Sequence, residues 1–152
     1  MANDLITIRN LAPWEVAFRR ILTQGDVVIP PFGKLSIDKE EVVNQSYANN
    51  SLINGGVDDR GSHATIYIDD KDTRVSLHFE SEDGKETQLI LDDEWFAKIF
   101  DLKQIGTFKK KLSEYVLTHA EKFRIIEYIK KAKVNDYDKI RAVEEYVGAK
   151  VG

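Results

Sequence analysis

The spacing of the apolar residues changes near Asp92, and this change constrains the fold more than any other feature. Before it, apolar and polar residues alternate over short runs such as residues 73–79, which is the period of a half-buried strand. After it, large apolar residues recur every three or four positions, as over residues 95–102, which is the period of a helix. The sequence therefore predicts an α+β fold with a strand-rich first part and a helical last part.

The first part begins with four short predicted strands and one predicted helix. Runs with β-branched or aromatic residues, ended by turn residues, predict strands at residues 5–9, 14–19, 27–29 and 34–37. Asp38 and Glu41 have the spacing of a capping box, in which two residues three apart satisfy the first N–H groups of a helix. A helix is therefore predicted over residues 38–48.

Alternating residues then predict three further strands at residues 63–68, 73–79 and 86–91. Polar turns at residues 69–72 and 82–85 separate them, as expected for an antiparallel meander. These strands need a sheet partner, which the first strands can supply. The architecture predicted for this part is an antiparallel sheet or a small β-barrel with one embedded helix.

The last part is predicted to be a C-terminal bundle of three to four short helices. Thr118 and Glu121 form a second candidate capping box. Trp95, Phe96 and Phe100 could anchor a partner, but large aromatic residues also dominate cores, and the core interpretation is favoured. The predicted division is a strand-rich α+β domain at residues 1–103 and a helical subdomain at residues 104–152 packed against it.

Composition narrows the classes of function. The chain has no cysteine, which excludes disulfides, thiolate metal sites and cysteine nucleophiles. An acidic start at Asp4 and the lack of a long apolar run predict no secretory signal, no membrane span and a cytoplasmic location. The net charge of −4 is uneven, since residues 101–152 hold 12 basic and 8 acidic residues. Attraction between the two parts is the favoured reading of this asymmetry.

Two loops are candidate contacts for another protein. Residues 54–62 are rich in glycine, but the loop leads into a strand and lacks the Gly-Lys-Ser/Thr ending of a phosphate cradle. The aspartates of residues 69–72 could bind a hard cation, but their spacing is not that of a calcium loop, and turns favour aspartate in any case. The candidate partner contacts in these loops are Asp58, Asp59, Arg60, Asp70 and Lys71.

No catalytic or metal-binding motif is recognisable in the sequence. The three histidines, His63, His78 and His119, lie in different predicted elements and lack the spacing of a metal pair. The serines lack the surroundings of a nucleophile elbow. No cofactor is predicted, and a small enzyme with a spatially assembled site is kept as an alternative.

The basic residues of the last part raise the alternative of a nucleic-acid-binding accessory protein. Two helices joined at residues 134–136 have the lengths of a helix-turn-helix, with Lys109, Lys110, Lys130 and Lys131 as candidate phosphate contacts. Arg124 and Lys139 belong to the same basic set. Acidic residues are interleaved among these cations, so solvated helix faces with ion pairs such as Glu127 with Lys131 are favoured.

Several stretches of the first two-thirds resemble small structural proteins of tailed bacteriophages. They are Ile6-Thr7-Ile8-Arg9-Asn10-Leu11 with Pro13-Trp14, residues 27–32, and Gly61-Ser62-His63-Ala64-Thr65 followed by Ile66-Tyr67-Ile68-Asp69-Asp70. The resemblance implies a virion or virion-assembly role with repeated copies, protein partners and no catalysis. The function expected from the sequence is thus a non-enzymatic protein–protein interaction or assembly module that contacts itself or virion components. The exposed edge of the sheet is a further candidate contact, because an edge strand can pair with another chain.

Overall fold

A computed structural model describes residues 4–55 and 60–151 of the chain. The chain divides into two compact units, Met1–Ile90 and Leu91–Gly152. The join that the sequence predicts, at residues 103–104, lies between two helices of the second unit. The candidate contacts Asp58 and Asp59 lie outside the described residues.

The described residues of the first unit form two small antiparallel sheets. The strands are β1 (Leu5–Asn10), β2 (Val16–Arg19), β3 (Asp26–Ile29), β4 (Lys34–Asp38) and β5 (Ile66–Asp69). One sheet has the order β4-β1-β5, and the other is the β2–β3 hairpin. The predicted antiparallel sheet and α+β class are confirmed, whereas no closed barrel forms in the described part of the chain.

Strand β1 is central because its alternation buries one face and exposes the other. Ile6 and Ile8 are buried and lie opposite Ile37 and Leu35 of β4, and Ile8 also lies opposite Ile68 of β5. On the other face, Arg9 forms an ion pair with Asp69, with 2.9 Å between Nη2 and Oδ2. The alternation thus places an apolar face towards the core and a polar face towards solvent.

Helix α1 (Lys39–Tyr47) confirms the predicted embedded helix and is followed by the single turn α2 (Ser51–Asn54). The capping box predicted at its start is wrong. Asp38 occupies the N-cap position but its side chain makes no capping hydrogen bond, and the carboxylate of Glu41 binds the β2–β3 loop instead. Spacing alone does not decide a capping box, since a buried donor elsewhere can take the same carboxylate.

The predicted meander is wrong after its first strand. Residues 73–79 begin inside a helix, α3 (Lys71–Ser76), and residues 86–91 form no strand. The carboxylate of Asp70 accepts a hydrogen bond from the backbone N–H of Thr73 at 3.0 Å and so caps α3. Thr73 and Leu77, four residues apart, are both buried, which is the spacing of a helix face. In so short a run, the same apolar residues fit both the alternation of a strand and the spacing of a helix face.

The second unit is helical throughout its regular structure, as predicted. Its helices are α4 (Asp93–Phe100), α5 (Ile105–Tyr115), α6 (His119–Ala132) and α7 (Tyr137–Val147). The capping box of α6 is confirmed, because Glu121 N donates to Thr118 Oγ1 and Thr118 N donates to Glu121 Oε1, both at 3.1 Å. In the part of the chain that the structure describes, no helix combines the length and apolarity needed to cross a membrane.

Aromatic residues of α4 build the core of the second unit. Phe96 is 1% exposed, and the Phe100 ring lies 5.0 Å from that of Phe108 and 5.6 Å from that of Tyr128. The half-buried Trp95 meets Tyr115 edge-on, with 5.8 Å between ring centroids. The favoured interpretation of the aromatic stretch as core is confirmed.

Candidate functional site

The loop of the β2–β3 hairpin is held by a buried carboxylate, that of Glu41 on α1. Glu41 is 2% exposed, and its oxygens accept hydrogen bonds from the N–H groups of Ile21 and Leu22 at 3.0–3.1 Å. Gln45, one helical turn later, donates its Nε2 to Glu41 at 2.9 Å and to the backbone oxygen of Arg19 at 2.6 Å. This network fixes the hairpin loop to α1, because a displaced loop would leave these buried donors without an acceptor.

The pKa of Glu41 reflects that network. Burial by itself raises the pKa of this carboxyl group, because the charged form loses its water. The hydrogen bonds from Ile21, Gln45 and Leu22, together with the positive charge of Arg20, outweigh burial and leave the pKa below its ordinary value. The side chain is therefore an anion at neutral pH and acts as a fixed acceptor for the loop.

The other end of the hairpin is held by Asn10, the last residue of β1. Its Nδ2 donates to the backbone oxygens of Trp14, Ile29 and Pro30 at 2.7, 3.2 and 3.0 Å. Its Oδ1 accepts from the N–H of Ala12 at 2.9 Å, and the residue is 1% exposed. The buried side-chain amide of Asn10 thus holds the segment before β2 and the end of β3 against the three-stranded sheet.

Four large apolar side chains of this clamped segment remain exposed to solvent, and together we call them the hairpin surface. Ile21 and Leu22 lie in the loop, Val28 on the outer face of β3 and Phe32 in the turn that follows. Their exposed fractions are 49%, 47%, 49% and 55%, respectively. The alternate residues Val27 and Ile29 are buried, so the hairpin buries one face and displays the other.

The turn that carries Phe32 has an unusual backbone. Gly33 N donates to Pro30 O at 2.9 Å, which closes a four-residue turn with Pro31 second and Phe32 third. Phe32 has φ +54°, a left-handed conformation that large side chains rarely adopt. At Gly33 a Cβ would lie 2.6 Å from Pro30 Cγ, so a side chain there would clash with the turn. This exposed phenylalanine was not among the predicted contact residues, although its position between Pro30-Pro31 and Gly33 is a visible turn signal.

Of the predicted partner contacts that the structure describes, Arg60 and Asp70 are engaged locally. Arg60 forms an ion pair with Glu86 at 3.2 Å and directs its Nε towards the backbone oxygen of His78. The hydrogen bonds from the side chain and N–H of Thr73 lower the pKa of Asp70 below its ordinary value, consistent with its role as the cap of α3. Lys71 is exposed and lines a shallow groove beside α3, together with Asp72, Val75, Ser76 and Glu82.

Most of the lysines proposed to contact nucleic acid lie beside acidic partners. Lys110 lies 3.8 Å from Glu114 and Lys130 lies 3.6 Å from Glu127. Lys131 pairs with Asp93 at 2.8 Å, a hydrogen bond that raises the lysine's pKa, so the predicted pair of Glu127 with Lys131 is wrong. Lys109 lines a groove between α5 and α7, with Arg141 and Glu145 among its neighbours. A basic face for phosphates stays a prediction for these four residues.

Two other cations of that basic set are buried, so their side chains are not exposed for contact with phosphates. Lys139 is 7% exposed, and its ammonium group donates to Phe100 O at 2.5 Å and lies 3.5 Å from a carboxylate oxygen of Asp136. Arg124 is 5% exposed, donates to Leu91 O at 3.2 Å and lies 3.8 Å from Glu121. Burial lowers the pKa of Arg124, partly offset by the charges of Glu121 and Asp92. Both cations serve the packing of the second unit.

The histidines lie in separate places. His63 is buried with φ +59°, His78 is exposed with φ +66°, and His119 packs on Phe123 with 4.8 Å between ring centroids. Within residues 4–55 and 60–151, no group of three or more histidine, cysteine or acidic residues has the arrangement of a metal site. Two of the three aspartates of residues 69–72 contact protein groups, because Asp69 binds Arg9 and Asp70 caps α3.

No protein-family model, curated protein or solved structure matches the chain. The hairpin surface combines apolar side chains turned to solvent with a backbone that is fixed at both ends.

Proposed function

We propose that the chain is a non-enzymatic protein–protein interaction module that docks an apolar patch of another protein on its hairpin surface. The observation that carries this proposal is the exposure of Ile21, Leu22, Val28 and Phe32 on a segment clamped by Glu41 and Asn10. Isolated exposed apolar residues are ordinary. Four on one hairpin segment that is held at both ends exceed the scattered exposure of single apolar residues, and this favours a binding role.

The hydrogen bonds of Glu41 and Asn10 matter for affinity, because ordering a flexible loop on binding costs conformational entropy. A loop already fixed to α1 by Glu41 avoids most of that loss, as preorganised binding surfaces do. Arg19, Thr23 and Asp26 are exposed around the apolar side chains. A polar rim around an apolar centre is the usual composition of a protein interface.

The left-handed backbone conformation of Phe32 also supports a binding role. A left-handed conformation costs a non-glycine residue roughly 1–2 kcal/mol, and glycine would adopt it freely. A large aromatic side chain at φ +54° and 55% exposure contributes little to the core in exchange. Aromatic anchors are, however, among the residues that contribute most to binding between proteins.

The biological setting we propose is a tailed-phage or prophage particle, or its assembly in the cytoplasm. The resemblance to small phage structural proteins includes residues 27–32, which hold Val28 and Phe32 of the hairpin surface. In such a setting the docked partner is another protein of the particle.

The proposal is tested by placing a photo-crosslinking amino acid at Phe32, identifying the crosslinked protein in phage-producing cells, and purifying it for calorimetric titration. The variant Ile21→Ser with Leu22→Ser is expected to weaken binding at least about thirtyfold, because burying each apolar side chain contributes roughly 1–3 kcal/mol. Tyr47→Ser is the matched control, since Tyr47 is 71% exposed on α1 and is outside the hairpin surface. It is expected to change the affinity less than about threefold.

Equal affinity of the wild type and the double variant would contradict the proposal. So would binding of the purified chain to lipid vesicles through the same two side chains, which would assign the surface to a membrane. Phe32→Gly supplies a second variant whose fold is not at risk, because it relieves the left-handed strain while removing the aromatic ring.

A further inference from the structure

We propose that a second copy of this chain pairs with the outer edge of β4 and extends the three-stranded sheet into a six-stranded sheet across a two-fold axis. This inference concerns a different surface from the hairpin surface and does not rest on it. Its starting point is the strand order β4-β1-β5, which leaves β4 at one border of the sheet. An edge strand offers N–H and C=O groups that another strand can use.

The hydrogen bonds beside β1 show which peptide groups of β4 face outward. Asn10 N donates to Gly33 O, and Lys39 N donates to Asp4 O, each at 2.8 Å. Residues 33, 35, 37 and 39 therefore turn towards β1, and the alternate residues Lys34, Ser36 and Asp38 turn outward. Among the described residues, no backbone hydrogen bond from outside the strand reaches Lys34 or Ser36, and both are exposed.

The opposite border of the sheet is closed by its own chain. Ile68 of β5 has an outward backbone oxygen, and Arg74 of α3 donates to it at 2.8 Å. The guanidinium of Arg74 also lies over the Tyr67 ring, 5.2 Å from its centroid. Side chains that cover an edge prevent pairing with another chain. The contrast makes β4 the open edge of this sheet in the part of the chain that the structure describes.

The sequence of β4, Lys34-Leu35-Ser36-Ile37-Asp38, is complementary to itself when two copies run antiparallel. A two-fold axis at Ser36 places Ser36 opposite its own copy and Lys34 opposite Asp38 of the second chain. Lys34 and Ser36 present outward N–H and C=O groups and Asp38 presents an outward N–H, while the C=O of Asp38 accepts the first hydrogen bond of α1. The hydrogen bonds and the side-chain charges therefore agree on one register. Leu35, half-buried in one copy, then lies opposite Ile37 of the other.

Both charges are available for this pairing. Asp38 stands at the N-cap of α1 without making a capping hydrogen bond. Lys34 lies directly opposite Arg9 in the β1–β4 register, a like-charge pair that is unfavourable across strands. Neither Lys34 nor Asp38 has an ion-pair partner among the described residues. A second copy supplies each of them with the opposite charge, which explains their placement on one edge.

The decisive experiment exchanges the charges and measures self-association by sedimentation equilibrium over a concentration series. A five-residue edge is small beside the roughly 800 Å² per partner of a stable interface. The wild type is therefore expected to dimerise with a dissociation constant that only a broad concentration range reveals. Lys34→Glu and Asp38→Lys, each alone, place like charges opposite each other twice per dimer and should weaken it about tenfold or more.

An equimolar mixture of those two variants is expected to restore association to about the wild-type level, since each unlike pair is then re-formed in the mixed dimer. Ser36→Pro should abolish the dimer without changing the melting temperature of the monomer, because the N–H that it removes points outward. Ile21→Ser with Leu22→Ser should leave the dimer intact. A wild type that stays monomeric at every concentration overturns the inference. So do single variants that dimerise like the wild type, or a mixture that stays dissociated.

Discussion

Replacing Glu41 by glutamine tests whether one buried carboxylate fixes the β2–β3 loop to α1. Glutamine keeps the size of the side chain but replaces one acceptor oxygen with an N–H₂ group. The present oxygens accept from Ile21 N, Leu22 N and Gln45 Nε2. At least one of these buried donors would then face another donor. Hydrogen bonds to a charged group contribute about 1.5–3 kcal/mol each, so we expect a loss of about 2–4 kcal/mol in the free energy of unfolding.

The assay is thermal unfolding combined with hydrogen exchange. For a domain of 60–100 residues, about 1 kcal/mol corresponds to roughly 4–8 °C. The transition of the first unit should therefore fall by roughly 10–20 °C. The amides of Ile21 and Leu22 should lose protection before the rest of the hairpin. Glu40→Gln is the matched control, because Glu40 is the preceding residue of α1 and is exposed. A Glu41→Gln protein that melts with this control would refute the reasoning.

The same variant has a characteristic dependence on pH. The folded pKa of Glu41 is lowered, so its contribution to stability is complete above the unfolded value, about 4.3. That contribution is lost as the pH falls below this value and through the folded pKa. The difference in stability between wild type and Glu41→Gln should therefore be constant near neutral pH and shrink in acid. A difference that grows in acid would show that the carboxyl group is stabilised in its protonated form.

Two further substitutions separate long-range from local polar contacts. Asn10→Ala removes the donor to Ile29 O and Pro30 O and the acceptor for Ala12 N, and should destabilise the first unit by about 3 kcal/mol in urea unfolding. An unchanged midpoint would mean that water replaces the amide. Thr118→Ala removes the cap of α6 and should cost about 1 kcal/mol, with Ser113→Ala on the exposed side of α5 as a control near zero.

The elements predicted correctly are those whose signals are local. Four early strands, α1 and the four helices of the second unit follow from apolar periodicity within ten or fifteen residues. The Thr118–Glu121 capping box could be predicted because both partners lie in one helical turn. The core position of the aromatic residues of α4 could also be predicted, because they recur at helical spacing within one short segment.

The features that sequence reasoning missed depend on distant partners. Glu41 and Asp38 fit a capping box, but the unpaired N–H groups of the hairpin loop, twenty residues earlier, take the carboxylate. Asn10 directly follows the strand predicted at residues 5–9, and nothing local indicates that its amide joins segments up to twenty residues away. Residues 73–79 alternate like a strand, yet the cap from Asp70 and the burial of Thr73 decide for a helix. In each case a tertiary contact overrides a local preference.

Three departures from local rules lie between residues 32 and 41. Phe32 takes a backbone conformation that suits glycine, Asp38 leaves a helix end without a side-chain cap, and Glu41 is a buried charge. Each is a conflict between the local preference of a residue and the structure that it adopts. Natural proteins usually avoid such conflicts outside functional sites. Each also involves one of the two surfaces proposed above. The ring of Phe32 is turned to solvent, the carboxylate of Asp38 stays available at the β4 edge, and Glu41 holds the hairpin loop. The two proposals together predict that a substitution that relieves local strain here, such as Phe32→Gly, stabilises the fold and weakens association, which unfolding and binding measurements on the same variant can compare.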